Sequence, residues 1–375
     1  MNFDLTEERQ MLQDTLRRFL ADRYATAERN AIIDSDAGFS SDIWAQMAEL
    51  GVLGALFTEA DGGFGGAGFD ITTVFEELGR AGVVEPVLET AVLGGGLIAA
   101  LGNDAQKSLV EEVIGGGVHL AFAHGEPASR YDLTRVETTA KADGDDIVLN
   151  GRKAVVANAE AAGHLIVSAR ESGAVDDADG ISLFLVPADS SGLSQRGYPM
   201  LAGGRAAELT LDDVRLPASA RLGTAGDAFP AIAERVAAAN VALAAETLGA
   251  METAVELTRE YLMTRKQFGR PIGTFQALAH RFSDLLIELE QARSAVINAA
   301  GHLGDADRDR QIAAARNLIG RVGRLVAEES IQMHGGIGMT QEYELAHIAK
   351  RIVMNDHRLG DTDYHMERFI ELSAA

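Results

Sequence analysis

Three stretches of the chain carry residues whose type and spacing suit chemistry. Glu246 is the one ionisable residue between Val236 and Met251, and Ala242, Gly249 and Ala250 lie about one helical turn from it. Desolvation on so apolar a rod raises a carboxyl pKa toward the range of a general base, and small neighbours leave room for a flat ligand. The same carboxylate could instead face solvent or pair with an arginine of another helix. The second stretch, Tyr261 to Gly273, puts Arg265, Lys266 and Arg270 beside Gln267, Phe268 and a glycine turn. An arginine there can grip a phosphate at two points, and Phe268 can lie on an adenine or flavin ring. Positive charge complementing a helix C-terminus accounts for the same cluster. The third stretch runs from Gln332 through Gly335, Gly336 and Gly338 to Glu342. Its glycines let backbone amides approach a ligand, although a plain turn between helices would use the same residues. It is not a dinucleotide-binding fingerprint, because no strand precedes it.

Other chemistries are disfavoured. The 375 residues include no cysteine, so thiol nucleophiles, disulfides and cysteine-ligated zinc are excluded. The nine histidines suggest no metal centre, and neither a Gly-x-Ser-x-Gly elbow nor a phosphate-binding P-loop is present. A formal net charge of −23 argues against nucleic acid or anionic membrane as a broad-surface partner. The longest apolar stretch, Val236 to Met251, is interrupted by Asn240 and Glu246 and is too short to span a bilayer. The opening residues show neither a basic nor an apolar leader segment, so no signal peptide and a cytoplasmic location are expected.

These residues must be positioned by three kinds of element. The first third reads as helical, starting at Thr6 as N-cap, with Met11, Leu12, Leu16, Phe19 and Leu20 at helical spacing. Glycines between Gly62 and Gly68 force a loop. From His119 to Leu216 short β-rich runs follow, with Asn150-Gly151 read as a hairpin turn, which suggests a small antiparallel sheet. Four long helices are then expected at 229–265, 276–302, 307–333 and 342–353. The fold class is α+β, with an N-terminal helical domain at 1–118, a middle β domain at 119–222 and a C-terminal four-helix domain at 223–375.

This order, together with particular motifs, resembles the acyl-CoA dehydrogenase family over essentially the whole chain. The motifs are Phe3-Asp4-Leu5-Thr6-Glu7-Glu8, Gly62-Gly63 through Glu76-Glu77-Leu78-Gly79-Arg80, Glu126-Pro127, Arg265-x-Gln267-Phe268-Gly269-x-Pro271-Ile272 with Gln276, and Gln332-x-x-Gly335-Gly336-x-Gly338 with Glu342. The resemblance implies an FAD-dependent enzyme that removes hydrogens from Cα and Cβ of an acyl-CoA thioester and passes electrons to an electron-transferring flavoprotein. Arg265, Gln267 and Phe268 would meet the flavin dinucleotide of a neighbouring subunit. Gln332, Gly335 and Gly336 would follow its pyrophosphate, and Glu126, Val155, Ala157 and Thr362 would also flank the cofactor. That arrangement implies a homotetramer or an α2β2 heterotetramer.

The sequence departs from the family pattern at the catalytic acid. The family's glutamate before Gly-Thr is replaced in Leu359-Gly360-Asp361-Thr362, and its alternative position on the long helix is Ala239. A subgroup similar to bacterial enzymes acting on steroid side-chain CoA esters carries Ala-Glu-x-x-Gly, matched here by Ala245-Glu246-Thr247-Leu248-Gly249. The resemblance therefore implies Glu246 as base, with Asp361 as the second candidate. The family's Trp and Thr beside the flavin are Val155 and Ala157 here. A partly catalytic or non-catalytic subunit of a heteromeric complex, or an oxidase or monooxygenase on the same scaffold, are the rival readings.

Overall fold

Helices form where capping residues and apolar spacing coincide. Thr6 Oγ1 accepts the Arg9 amide at 3.3 Å to open the first, and Asn103 and Gln106 close a reciprocal capping box on another. The chain was studied as a computed structural model that describes residues 5–374; Phe3 and Asp4 of the opening motif lie outside the described residues. In chain order the N-terminal helices are α1 (Glu7–Arg23), α2 (Thr26–Ile33), α3 (Ser41–Glu49), α4 (Gly68–Ala81), α5 (Gly96–Leu101, entered through a π-helical stretch Leu88–Gly95) and α6 (Asp104–Ile114). Strands follow as β1 (Leu120–Ala123), β2 (Thr139–Asp143), β3 (Asp146–Ala157), β4 (His164–Arg170), β5 (Ile181–Pro187), β6 (Leu193–Pro199), β7 (Arg205–Pro217) and β8 (Arg221–Leu222). The chain then enters α7 (Phe229–Thr264), a short hairpin of β9 (Lys266–Gln267) and β10 (Arg270–Pro271), α8 (Gln276–Gly301), α9 (Arg308–His334), α10 (Glu344–Asp356) and α11 (Thr362–Ala374).

Two compact units are drawn from non-contiguous stretches. The first gathers 1–31, 67–83 and 240–375. In it α4 crosses α7 with the two backbones in contact: a Cβ added at Gly249 would overlap the Glu76 carbonyl, and one at Gly79 would overlap the Glu246 carbonyl. A Cβ at Gly323 of α9 would fall 2.9 Å from the Ile352 side chain of α10. Small residues thus set the helix spacing, and α8, α9 and α11 pack around them.

The second unit gathers 32–66 and 84–239. Its sheet has eight strands in the order β6-β7-β3-β2-β4-β5-β8, with β1 paired to β4. Leu149, Leu165, Val167, Phe184, Leu209 and Val214 form its dry core.

Four expectations are corrected here. The sheet is mixed rather than antiparallel, because β1 and β2 each pair in parallel with β4. Strands β2 and β6, whose polar, half-exposed sequences lack a clear alternation, are additional to those read from the sequence. Asn150-Gly151 is not a hairpin turn but lies inside β3, at a register shift against β7. Gly151 is required there because the Thr138 backbone passes 2.7 Å from where its Cβ would be, while the β2–β3 turn uses Gly144 at φ +66. The C-terminal region has five helices, not four, since α11 follows the Gly360 break.

Candidate active site

Glu246 lies in the middle of α7, only 3% exposed. Its Oε1 accepts the Arg351 Nε–H at 2.5 Å and the Asn355 Nδ2–H at 3.0 Å, both from α10. Burial pushes the carboxyl pKa up, but the charges of Arg351 and Arg358 and the hydrogen bonds from Arg351 and Asn355 outweigh it and hold the group below its ordinary value. The expected raised pKa is therefore corrected: the arginine partner, not desolvation, decides the sign. The expected space is corrected as well. The small residue at Gly249 admits the backbone of α4 rather than a ligand. Arg351 was not visible as a partner in the sequence because a separation of 105 residues gives no local signal.

Asp361, the second acid, is half-buried and caps α11, its Oδ1 accepting the Tyr364 amide at 2.9 Å. Gly360 beside it has φ +121, and a Cβ there would fall 2.5 Å from Tyr364 Cδ1 and 2.6 Å from His365 Nε2. Buried Arg316 anchors this bend through its Nη2, which donates to the carbonyls of Asn355, Arg358 and Gly360 at 3.0, 2.9 and 3.2 Å. A side chain at the position where the resemblance puts a catalytic glutamate would therefore have to displace the Tyr364 and His365 rings. The Thr362 hydroxyl is committed to Asp356 Oδ1 at 2.9 Å.

The two glycine-containing motifs of the first unit come together. Tyr261, one turn before Arg265 on α7, stacks on His334 at the end of α9 with ring centroids 4.5 Å apart. His334 in turn bonds the Ser330 carbonyl through Nδ1 at 2.8 Å and the Tyr343 hydroxyl through Nε2 at 3.2 Å. Beyond this joint, Phe268 stands 92% exposed at φ +53 on the β9–β10 hairpin, held edge-on to Phe275 at 6.0 Å. Arg265, Gln267, Gln332, Gly335 and Gly336 are all exposed. A Cβ at Gly335 or Gly336 would meet nothing within 4 Å, so the surface of this turn is open to an approaching group, while the Gly335 amide donates to the Ile331 carbonyl. An aromatic plate, a guanidinium and an uncrowded glycine turn are a set that fits a flat ring joined to a diphosphate. Sequence reading found the motifs but not His334, which joins them.

In the second unit, Val155 is 62% exposed at φ +53, on a register shift of β3 against β7. A β-branched residue in that region is strained, and such strain marks segments shaped for a ligand. Ala157, two residues on, is half-buried. The Glu126 carboxylate, by contrast, turns into the core: Oε1 accepts Lys153 Nζ at 2.7 Å and the Thr138 amide at 3.0 Å, and Oε2 accepts the Glu137 amide at 2.7 Å. Lys153 and His124 complete this buried cluster, and the sequence reading missed both; an inward-facing lysine on a strand was the signal for the first. Among the described residues no group of three metal-ligating side chains occurs, and no helix is long and apolar enough to cross a membrane.

Comparison with known proteins agrees with this architecture. Family profiles described as acyl-CoA dehydrogenase N-terminal, middle and C-terminal domains match residues 6–112, 121–214 and 226–371. The chain is 32% identical over 351 residues to the probable acyl-CoA dehydrogenase YngJ of Bacillus subtilis, covering 92% of each. It is 28% identical to the caffeyl-CoA reductase-Etf complex subunit CarC of Acetobacterium woodii, covering 91% of each. A solved variant of the Tcur3481-Tcur3483 steroid ACAD superposes with a TM-score of 0.88 at 32% identity over 98% of each chain. The chain belongs to the acyl-CoA dehydrogenase family, whose members are FAD-dependent oxidoreductases.

Proposed function

We propose that this protein carries out α,β-dehydrogenation of an acyl-CoA thioester to the trans-2-enoyl-CoA as part of an oligomer. The observation that carries the reading is the joint at Tyr261 and His334, which sets the exposed Phe268 hairpin beside the open Gly335–Gly336 turn. Arg265 and Gln267, with Gln332 and the two glycines, would hold the dinucleotide of a neighbouring subunit, while Val155 and Ala157 would flank the ring of this chain's own flavin. FAD supplies the two-electron acceptor that takes the β-hydrogen as hydride. The α-proton passes to a carboxylate of the protein, and Asp361 is the candidate, because the Glu246 carboxylate is held in an ion pair with Arg351. Thr362, with its hydroxyl held by Asp356, fixes the start of α11 and so the Asp361 backbone. An electron-transferring flavoprotein would take the electrons onward, a reading supported by the relative CarC, a subunit of a caffeyl-CoA reductase-Etf complex.

A second reading is favoured by the crowding at position 360. With glycine at that position and two rings packed over it, this chain could serve as the flavin-holding half of a heteromeric enzyme whose partner supplies the acid. Anaerobic mixing of the purified yellow protein with acyl-CoAs tests both. Bleaching by wild type and loss of bleaching in Asp361→Asn support Asp361 as base. Bleaching that appears only after a partner subunit is added supports the second reading. Wild-type bleaching that survives Asp361→Asn removes Asp361 from the mechanism.

A further inference from the structure

We infer that Glu126, Lys153 and Arg170 are positioning residues that clamp the 126–138 segment against β3, and so set the distance between the Glu126-Pro127 turn and the Val155 bulge. The inference rests on the proposed reading that these two segments flank the flavin. Lys153 sits two residues before Val155 on β3 and is fully buried. Its Nζ donates to Glu126 Oε1 at 2.7 Å, Ser168 Oγ at 3.0 Å and the His124 carbonyl at 3.3 Å. The Ala154 amide adds a backbone tie to the Gly125 carbonyl at 2.8 Å. One lysine therefore holds the turn and belongs to the strand that carries the bulge.

The segment beyond the turn is irregular, and buried polar groups replace the sheet bonds it lacks. Glu126 takes the amides of Glu137 and Thr138. The buried Arg170 guanidinium takes six backbone carbonyls: Nε bonds Val136 at 3.1 Å, Nη1 bonds Ser172 and Asp179, and Nη2 bonds Thr134, Val175 and Asp177. His124 Nε2 lies 3.0 Å from the Leu133 carbonyl, and its Nδ1 lies 2.9 Å from Ser168 Oγ. The acceptors fix the protons: Lys153 donates to Ser168, Ser168 donates to His124 Nδ1, and His124 donates through Nε2 to Leu133. Burial and the neighbouring Lys153 charge push the His124 pKa down to about 3, which keeps that tautomer neutral. Leu133 to Thr138 is thus gripped by a carboxylate on its amide side and a guanidinium on its carbonyl side. Nothing in a buried ion pair demands this economy for stability alone, since apolar replacements are often as stable. Position is what the charges add: each fixes several backbone atoms at once.

The test uses the purified holoprotein. Glu126→Gln with Lys153→Met removes both charges together and leaves no unpaired ion. Amide exchange at Glu137 and Thr138 is expected to accelerate about tenfold or more, since hydrogen bonds to a charged acceptor are lost. The visible circular dichroism of the bound flavin is expected to change with it. Ser168→Ala, a milder cut in the same network, is expected to move both readouts the same way by less, and it keeps the test decisive if the double variant does not fold. Unchanged exchange in a folded variant overturns the clamp. Faster exchange with an unchanged flavin signal overturns the positioning role while leaving the flavoenzyme reading intact. A wild-type protein that binds no flavin overturns that reading, and the positioning role with it.

Discussion

Replacing Glu246 by glutamine separates a structural acid from a catalytic one. In the structure the carboxylate is 3% exposed, and Arg351, with its side chain 11% exposed, lies 2.5 Å away. Breaking a buried pair by removing one partner costs about 3–5 kcal/mol; glutamine keeps one oxygen acceptor, so about 2–3 kcal/mol is expected. For a chain of this size that lowers the melting temperature by roughly 3–4 °C. The pH dependence has a defined sign. The folded carboxyl pKa lies below its ordinary 4.5. The pair's stabilisation is therefore complete above the unfolded pKa and is lost as pH falls through the folded one. Glu246→Gln should flatten that acid limb. Differential scanning calorimetry between pH 3 and 7, run beside anaerobic flavin reduction, reads both properties. The expected result is a lower melting temperature with flavin bleaching retained per folded molecule. A variant that melts like wild type and has lost bleaching would refute the structural role and restore Glu246 as base.

Other consequences follow from the same geometry. Phe268→Ala removes an exposed plate, so it should weaken FAD retention several-fold, with stacking of about 0.5–1.5 kcal/mol lost, and leave the apoprotein melt unchanged; dialysis against flavin-free buffer with absorbance readout checks this. Gly249→Ala forces α4 and α7 apart, because the new methyl overlaps the Glu76 carbonyl, and should cost about 3 kcal/mol or more in a thermal melt. Gly360→Glu should destabilise the protein, because its Cβ displaces the Tyr364 and His365 rings at φ +121; a thermal melt equal to wild type would contradict that crowding.

The sequence carried the helices well because their signals are local. Thr6 caps α1 as its spacing predicts, and the Arg265–Ile272 and Gln332–Gly338 motifs fall where α7 and α9 end. Asn150-Gly151 misled because its turn propensity was overridden by a close backbone crossing at Thr138, the residue before β2. The apolar surround of Glu246 was legible, but its sign of pKa shift was not, since the deciding charge comes from α10. The small residues beside it were read as room for a ligand, when a second helix, α4, occupies that room. Glu126 was legible as part of a motif, while the direction of its carboxylate depends on Lys153, Glu137 and Thr138. In each case the chemistry was visible and the partner was not.

The central claim is that the exposed hairpin and glycine turn serve a flavin that accepts hydrogen from an acyl-CoA. The most direct measurement is anaerobic titration of the purified protein, alone and co-expressed with any neighbouring subunit, against straight-chain, branched and steroid side-chain acyl-CoAs at the flavin absorbance maximum. A yellow protein whose flavin is bleached by at least one thioester is the predicted result. A protein that stays colourless in both preparations, or a bound flavin that no thioester reduces in either, would contradict it.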